Sequence, residues 1–416
     1  MSRAAPPSRR ADLRSVGRAL VAVLAASAAP LAAAEGKPAP ASPGATMDYG
    51  SLMTYFVTLP EPLKVVVSKA VVVRATPETT FCYDAETMAL AAVWQGGFID
   101  MSATCVSRIV QGTGPAPVQG ALVLGSGIVP GWAKGGSFAD PREQSLGGLP
   151  EAWVSYRGLY RHGAQVVVAY TVGDCAVREL PGAVGTGSAT VITRTLHLGP
   201  SAAEQRLLVC AVAGAHGGVG ARGQPASGAA AGAAGASLAV LEQSLAQGAA
   251  GRTVVGAVGA PAGATLRCED GRVVLAIPAH AQPVTVEVGA WAGAADGAAA
   301  AGQAIAALPA PVDVDALCRG GGPQWGPAME VAGALGADSG PYAVDTIPLP
   351  TVNPWKSWIR PTGVDFFRDG RAAIATFSGD VWIATGVDRT LAKVGWRRFA
   401  AGLYEPLGLR IVDDVV

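Results

Sequence analysis

From about residue 46 to 205 the chain repeats short β-branched runs between clusters of Gly, Pro and Asp. Val65–Val67 and Val71–Val73 are separated by Ser-Lys-Ala, Gln165–Val172 stops at Gly173-Asp174, and Thr190–His197 is a further run. Runs of this length between turn formers predict the strands of a sandwich. Asp84–Val93 differs, because its composition favours helix and predicts one short helical segment. Leu238, Leu241 and Leu245 stand at helical spacing and predict a second, within Ser237–Gln247. Ala264–Ile277 reads as a hairpin turning at Asp270-Gly271, where positive φ is tolerated, and Val284–Val288 alternates as the next strand. Two Ala/Gly-rich stretches interrupt this pattern. The one at 211–236 predicts a flexible surface loop, and the one at 289–307 breaks the strand series again.

The last segment packs four short runs close together: Gly363–Phe367, Arg371–Phe377, Val381–Thr385 and Lys393–Phe399, with turns at Arg368–Gly370 and Ser378–Asp380. Four strands in about 40 residues is the content of one propeller blade. Leu409–Val412 would open another. The pattern therefore predicts a mainly β fold, with a β-sandwich-like domain over 46–342 followed at 343–416 by an incomplete β-propeller of about one blade. One blade leaves its faces without neighbours.

Composition adds the compartment. Residues 1–34 carry Arg3, Arg9, Arg10, Arg14 and Arg18 ahead of an apolar run from Ala19 that ends in Ala32-Ala33-Ala34. This predicts a signal peptide over 1–34, a Pro-rich tether over 35–45, and a periplasmic or extracellular mature protein. Beyond it no stretch of about 18 residues is apolar enough to predict a transmembrane span. The whole chain has 31 basic and 31 acidic side chains; without residues 1–34 it has 26 against 30, a net charge of −4. That balance lacks the basic surplus of a phosphate-tracking protein, so nucleic acid is not an expected partner. Six cysteines are present with no Cys-x-x-Cys, which argues against a zinc ribbon and excludes haem attachment within this chain. They could pair as disulfides or pack as small buried hydrophobes.

Several longer motifs carry a resemblance. Gly340–Pro350, Asn353–Phe367, Ser378–Ile383 and Trp396–Leu409 are the strongest. Met47–Gly50, Phe81–Asp84, Trp94–Asp100, Pro130–Trp132 and Tyr156–Gly163 add to them. Together they resemble a bacterial secreted family of unknown function, whose members join an amino-terminal β-rich domain to a propeller like that of glucose/sorbosone dehydrogenases. Some members also carry a c-type cytochrome domain. The resemblance implies, as one alternative, the amino-terminal part of a quinone-dependent sugar or alcohol dehydrogenase-like oxidoreductase. That family continues through further blades.

The residues themselves point first to binding. Trp94, Phe98, Trp132, Trp153, Tyr156 and Tyr160 could stack on sugar rings, or supply bulk to an alanine-rich core. His162 could pair with Asp100 or Asp140 for proton transfer, or sit in a surface turn. The candidate ligand-binding set is thus Trp94, Asp100, Trp132, Trp153, Tyr156, Tyr160 and His162. No pattern predicts a catalytic constellation, a metal site, a phosphate-cradling loop or a cofactor. The expectation is an exported, non-catalytic binding domain whose partner is a carbohydrate or another cell-envelope component.

Overall fold

In the computed structural model, residues 42–104, 114–211, 237–244 and 250–416 are described. The expected signal peptide, residues 35–41 of the tether and most of the Ala/Gly stretch at 211–236 lie outside them. One turn of helix, α1 (Pro43–Thr46), precedes the first strand.

The β-branched runs assemble into four sheets. The first holds β1 (Leu52–Thr58), β2 (Val66–Arg74), β3 (Thr79–Asp84), β4 (Ala89–Gln95), β5 (Ala116–Pro117) and β6 (Ala121–Leu124), ordered β5-β1-β2-β3-β4-β6. Alternate side chains on a strand point to opposite faces, and here both faces are covered. Leu52, Val73, Phe81, Tyr83 and Val93 enter one core, whereas Met53, Tyr55, Val72, Cys82 and Trp94 enter another. This double burial corrects the helix expected at Asp84–Val93. The Met88 amide donates to Asp84 O (2.8 Å) and the Thr87 hydroxyl to Asp84 Oδ2 (2.8 Å), closing a turn, after which β4 begins. A strand buried on both sides needs no polar alternation, so its alanines carry no helical meaning.

The second sheet contains β7 (Val154–His162), β8 (Gln165–Val172), β9 (Cys175–Val184), β10 (Val191–Leu198), β12 (Ser237–Ser244), β13 (Ala250–Val258) and β16 (Val284–Ala294). Its order is β12-β13-β16-β10-β9-β8-β7, antiparallel throughout. The helix expected at Ser237–Gln247 is instead strand β12, paired residue for residue with β13 through Ser244. Leu245 lies outside the described residues. A third, smaller sheet holds β11 (Gln205–Ala211), β14 (Thr265–Glu269) and β15 (Arg272–Ile277); β14 and β15 are the hairpin turned by Asp270-Gly271. All three sheets feed one core, in which Phe81 and Tyr83 meet Val168, Tyr170, Leu196, Leu207 and Val286.

The Ala/Gly patch expected to interrupt at 289–307 partly continues β16 and then forms helix α2 (Ala298–Ala306). Ala301 and Ile305 of that helix pack on Val254 and Trp291. A single turn, α3 (Val314–Leu317), follows, its first residues capped by the Asp313 carboxylate, which accepts from Ala316 N at 3.1 Å.

The fourth sheet is ordered β17-β21-β20-β19-β18, from β17 (Met329–Val331), β18 (Pro361–Phe366), β19 (Ala372–Thr376), β20 (Val381–Thr385) and β21 (Val394–Ala400). β18–β21 form the four-strand meander expected from the sequence, within two residues at each boundary. The sheet docks on the amino-terminal strands. Thr54 N donates to Gly402 O (2.7 Å) and Asp48 N to Trp355 O (2.9 Å), and Tyr404 meets Tyr55 edge-on at 5.2 Å.

Among the described residues no helix is long and apolar enough to cross a membrane. The five described cysteines are free. Cys210 and Cys268 both lie opposite Val273, on the two strands flanking it. That places them two strand spacings apart, about 9–10 Å, beyond disulfide reach.

Candidate functional site

β7 is the edge strand of the second sheet, so its far end, Tyr160-Arg161-His162, is open to a neighbour. The neighbour is the run Gly320-Gly321-Gly322-Pro323-Gln324 that leaves α3. A Cβ on Gly321 would fall 3.2 Å from both Cα and Cγ of His162, so glycine is what lets the run lie this close to the hairpin. β21 of the fourth sheet supplies the third wall with Arg397, Arg398 and Phe399. These three elements enclose a cleft of about 420 Å³.

No acidic residue lines the cleft, while Arg161, Arg397 and Arg398 do. Arg398 is fully buried and neutralised: Nη2 donates to Asp380 Oδ1 at 2.6 Å, Nη1 to Asp48 O at 2.7 Å, and the guanidinium stacks 4.2 Å over the Trp325 ring. The Ser357 hydroxyl donates to the other oxygen of Asp380. Arg161 differs. It donates to Gln324 Oε1 and, at 3.4 Å, to Ala401 O, both neutral acceptors. Among the described residues its buried Nε has no partner, and neither has Nε of Arg398. Burial, with the positive charge of Arg398 added, pushes the Arg161 guanidinium down to about 10. The cleft therefore presents cationic hydrogen-bond donors in excess of acceptors.

The residues expected from the sequence fall in three places. Trp94, Trp132 and Trp153 are buried in the cores. The Trp94 indole N–H donates to Phe98 O and that of Trp153 to Trp132 O, both at 2.9 Å, so none of the three presents a ring face to a ligand. Tyr156 is half-buried against the central core. Asp100 accepts from Ser102 N at 2.8 Å, and its hydrogen bonds with Ser102 hold its carboxyl below the usual range. Asp140 forms an ion pair with Arg142 at 2.9 Å. The acid/base pair considered for His162 is thus not formed, because both carboxylates are engaged elsewhere and His162 Nδ1 is buried with no partner among the described residues. None of the expected residues is among those lining the cleft; His162 packs against Gly321 of the cleft wall, and Tyr160 is only the chain neighbour of Arg161. The residues that build the cleft, Arg161, Arg397, Arg398 and the glycine run, were outside the expected set. A paired arginine in Trp396-Arg-Arg-Phe399 and three consecutive glycines were the available signals.

Comparison with known families places part of this region. A family model described as a domain of unknown function (DUF6797) matches residues 81–179. The match runs from β3 into β9 and includes Arg161 and His162, whereas the glycine run and β21 lie beyond it. No curated protein matches the chain.

Proposed function

We propose that this chain is an exported, non-catalytic binding module that holds a saccharide or other cell-envelope ligand in the cleft between the β7–β8 turn, the glycine run and β21. The observation that carries the proposal is the cleft itself. Its volume lies in the range of small-ligand sites, and it combines the exposed aromatic face of Phe399 with fixed polar groups from Arg161 and Gln324. Such a mixture suits a ring with both apolar faces and hydroxyl edges. Export rests on the arginine-rich, apolar amino terminus. The meander β18–β21 has the strand order of a propeller blade, which supports reading the carboxy-terminal sheet as the first blade of such a structure. The test is retention of the mature chain on envelope polysaccharide fractions. Specific retention that is lost on Phe399→Ala supports the assignment, and passage of the chain through every fraction unretained would sink it.

A further inference from the structure

We infer that the cleft recognises an oxyanion on its ligand, a carboxylate or sulfate group, with Arg161 and Arg397 as the residues that meet it. The inference rests on the binding role proposed above and names the chemistry of the ligand. A buried guanidinium without a counter-charge is costly, and folded proteins normally supply one. This molecule does so for Arg398 through Asp380, and for Arg194 through Glu179 at 2.6 Å. It does not do so for Arg161, which is half-buried and whose two acceptors are a side-chain amide and a backbone carbonyl.

Three further observations converge on the same cavity. The unpartnered Nε atoms of Arg161 and Arg398 are both buried donors belonging to residues that line it. Arg397 lines it, and among the described residues its side chain makes no ion pair or hydrogen bond, while its backbone pairs with Ile383 in the sheet. The amides of Gly320, Gly321 and Gly322 take part in no hydrogen bond within the described residues, leaving further donors on the same wall. A planar or tetrahedral oxyanion accepts from several such donors at once, and the rigid guanidinium fork matches that geometry. It would also separate the like charges of Arg161 and Arg398. A neutral sugar hydroxyl satisfies the donors but leaves the charge uncompensated.

The experiment is calorimetric titration of the mature chain with three probes of equal length: an oligogalacturonate, a sulfated oligosaccharide and a neutral oligoglucoside. The expected result is binding of one or both anionic probes at least tenfold tighter than the neutral one, weakening as salt is raised. Galacturonate binding alone assigns a carboxylate, and sulfated-probe binding alone assigns a sulfate. Arg161→Gln should weaken the anionic probe about 10- to 100-fold, the scale of a lost charge-assisted hydrogen bond. Arg161 also ties two segments together, so Arg397→Gln, which removes no internal hydrogen bond, decides the matter if the first variant fails to fold; about a tenfold loss is expected. Equal binding of neutral and anionic probes would overturn the oxyanion and leave the binding role standing. No binding of any probe would remove both. Anionic binding unchanged in Arg397→Gln would place the anion elsewhere and overturn the inference.

Discussion

Burying Glu179 strips a carboxylate of water, and the fold offsets this with donors from three strands. Arg194 donates through Nε at 2.6 Å and Nη2 at 3.1 Å, and the hydroxyls of Tyr83 and Tyr170 each donate at 2.8 Å. Glu179→Gln would leave Arg194 charged in a dry core. The expected loss is about 3–5 kcal/mol in urea unfolding, against about 1–3 kcal/mol for Tyr83→Phe, which removes one donor from a group that keeps the others. Equal losses in the two variants would contradict this ranking. Glu287 shows the opposite case, a buried carboxyl with hydroxyl partners and, among the described residues, no cation. Burial raises its pKa, and hydrogen bonds with Thr195 and Thr193 oppose the rise only in part. The native state then holds this proton more tightly than the unfolded chain does. Stability should therefore fall as pH rises from the ordinary carboxylate range through the raised value. Glu287→Gln should flatten that segment of a melting-temperature profile, and an unchanged slope would show that Glu287 does not cause it. Neither group was legible in the sequence, nor was the arginine cleft. A charged residue within an apolar run carries no mark of which strand will face it, and Arg161 meets Gln324 across 163 residues. The large aromatics misdirect for a related reason. A tryptophan reads the same in a sequence whether it packs a core, as Trp94 and Trp132 do, or lines a surface.

Elements bounded by strong turn formers were the legible part of this fold. The hairpin β14–β15 and the meander β18–β21 have Gly or Asp at their turns and alternating burial on some strands, and both form as expected. Where a strand is buried on both faces, as β4 is, periodicity vanishes and composition alone suggests a helix. Spacing misleads equally in β12, where Leu238 and Leu241 fall in a segment held by strand pairing with β13. Junctions between elements leave almost no trace, since they depend on backbone approach. Gly402 is the clearest. At φ +81° it sits against β1, and an added Cβ would lie 1.9 Å from Leu52 O. Neither backbone can yield without breaking the Thr54–Gly402 hydrogen bond. Gly402→Ala should cost at least about 2 kcal/mol through overpacking and backbone strain. Gly408→Ala, with open space around it, should change stability by less than about 0.5 kcal/mol. Thermal unfolding of the two variants gives the comparison, and a neutral Gly402→Ala would show that β1 and the fourth sheet do not need this close approach.

At the scale of the whole molecule, the fourth sheet is bound into the rest by a strand that precedes its own meander. β17 pairs with β21, from Met329↔Trp396 to Val331↔Val394, and the chain then leaves the sheet before returning at β18. Between them, Ala334 and Thr346 exchange backbone hydrogen bonds of 2.8 Å at the base of a protruding loop, in which Tyr342 is 87% exposed. Exposed loop tips are where proteases cut folded chains. Chymotrypsin should nick after Tyr342 early, yet the nick should not release the carboxy-terminal piece. That piece stays paired to β17, shares the Arg398–Asp48 and Thr54–Gly402 hydrogen bonds, and contributes half of the Trp325–Trp355 contact. Size-exclusion chromatography of the nicked protein should return one peak containing both fragments, and urea should separate them. An accessory blade tethered only by its linker would give two peaks without denaturant, followed by rapid digestion of the smaller piece at its unpaired edges. The outcome bears directly on the cleft. Arg397 and Phe399 belong to the carboxy-terminal fragment and Arg161 to the other, so ligand binding that survives the nick would require the two fragments to remain docked with the cleft walls in place.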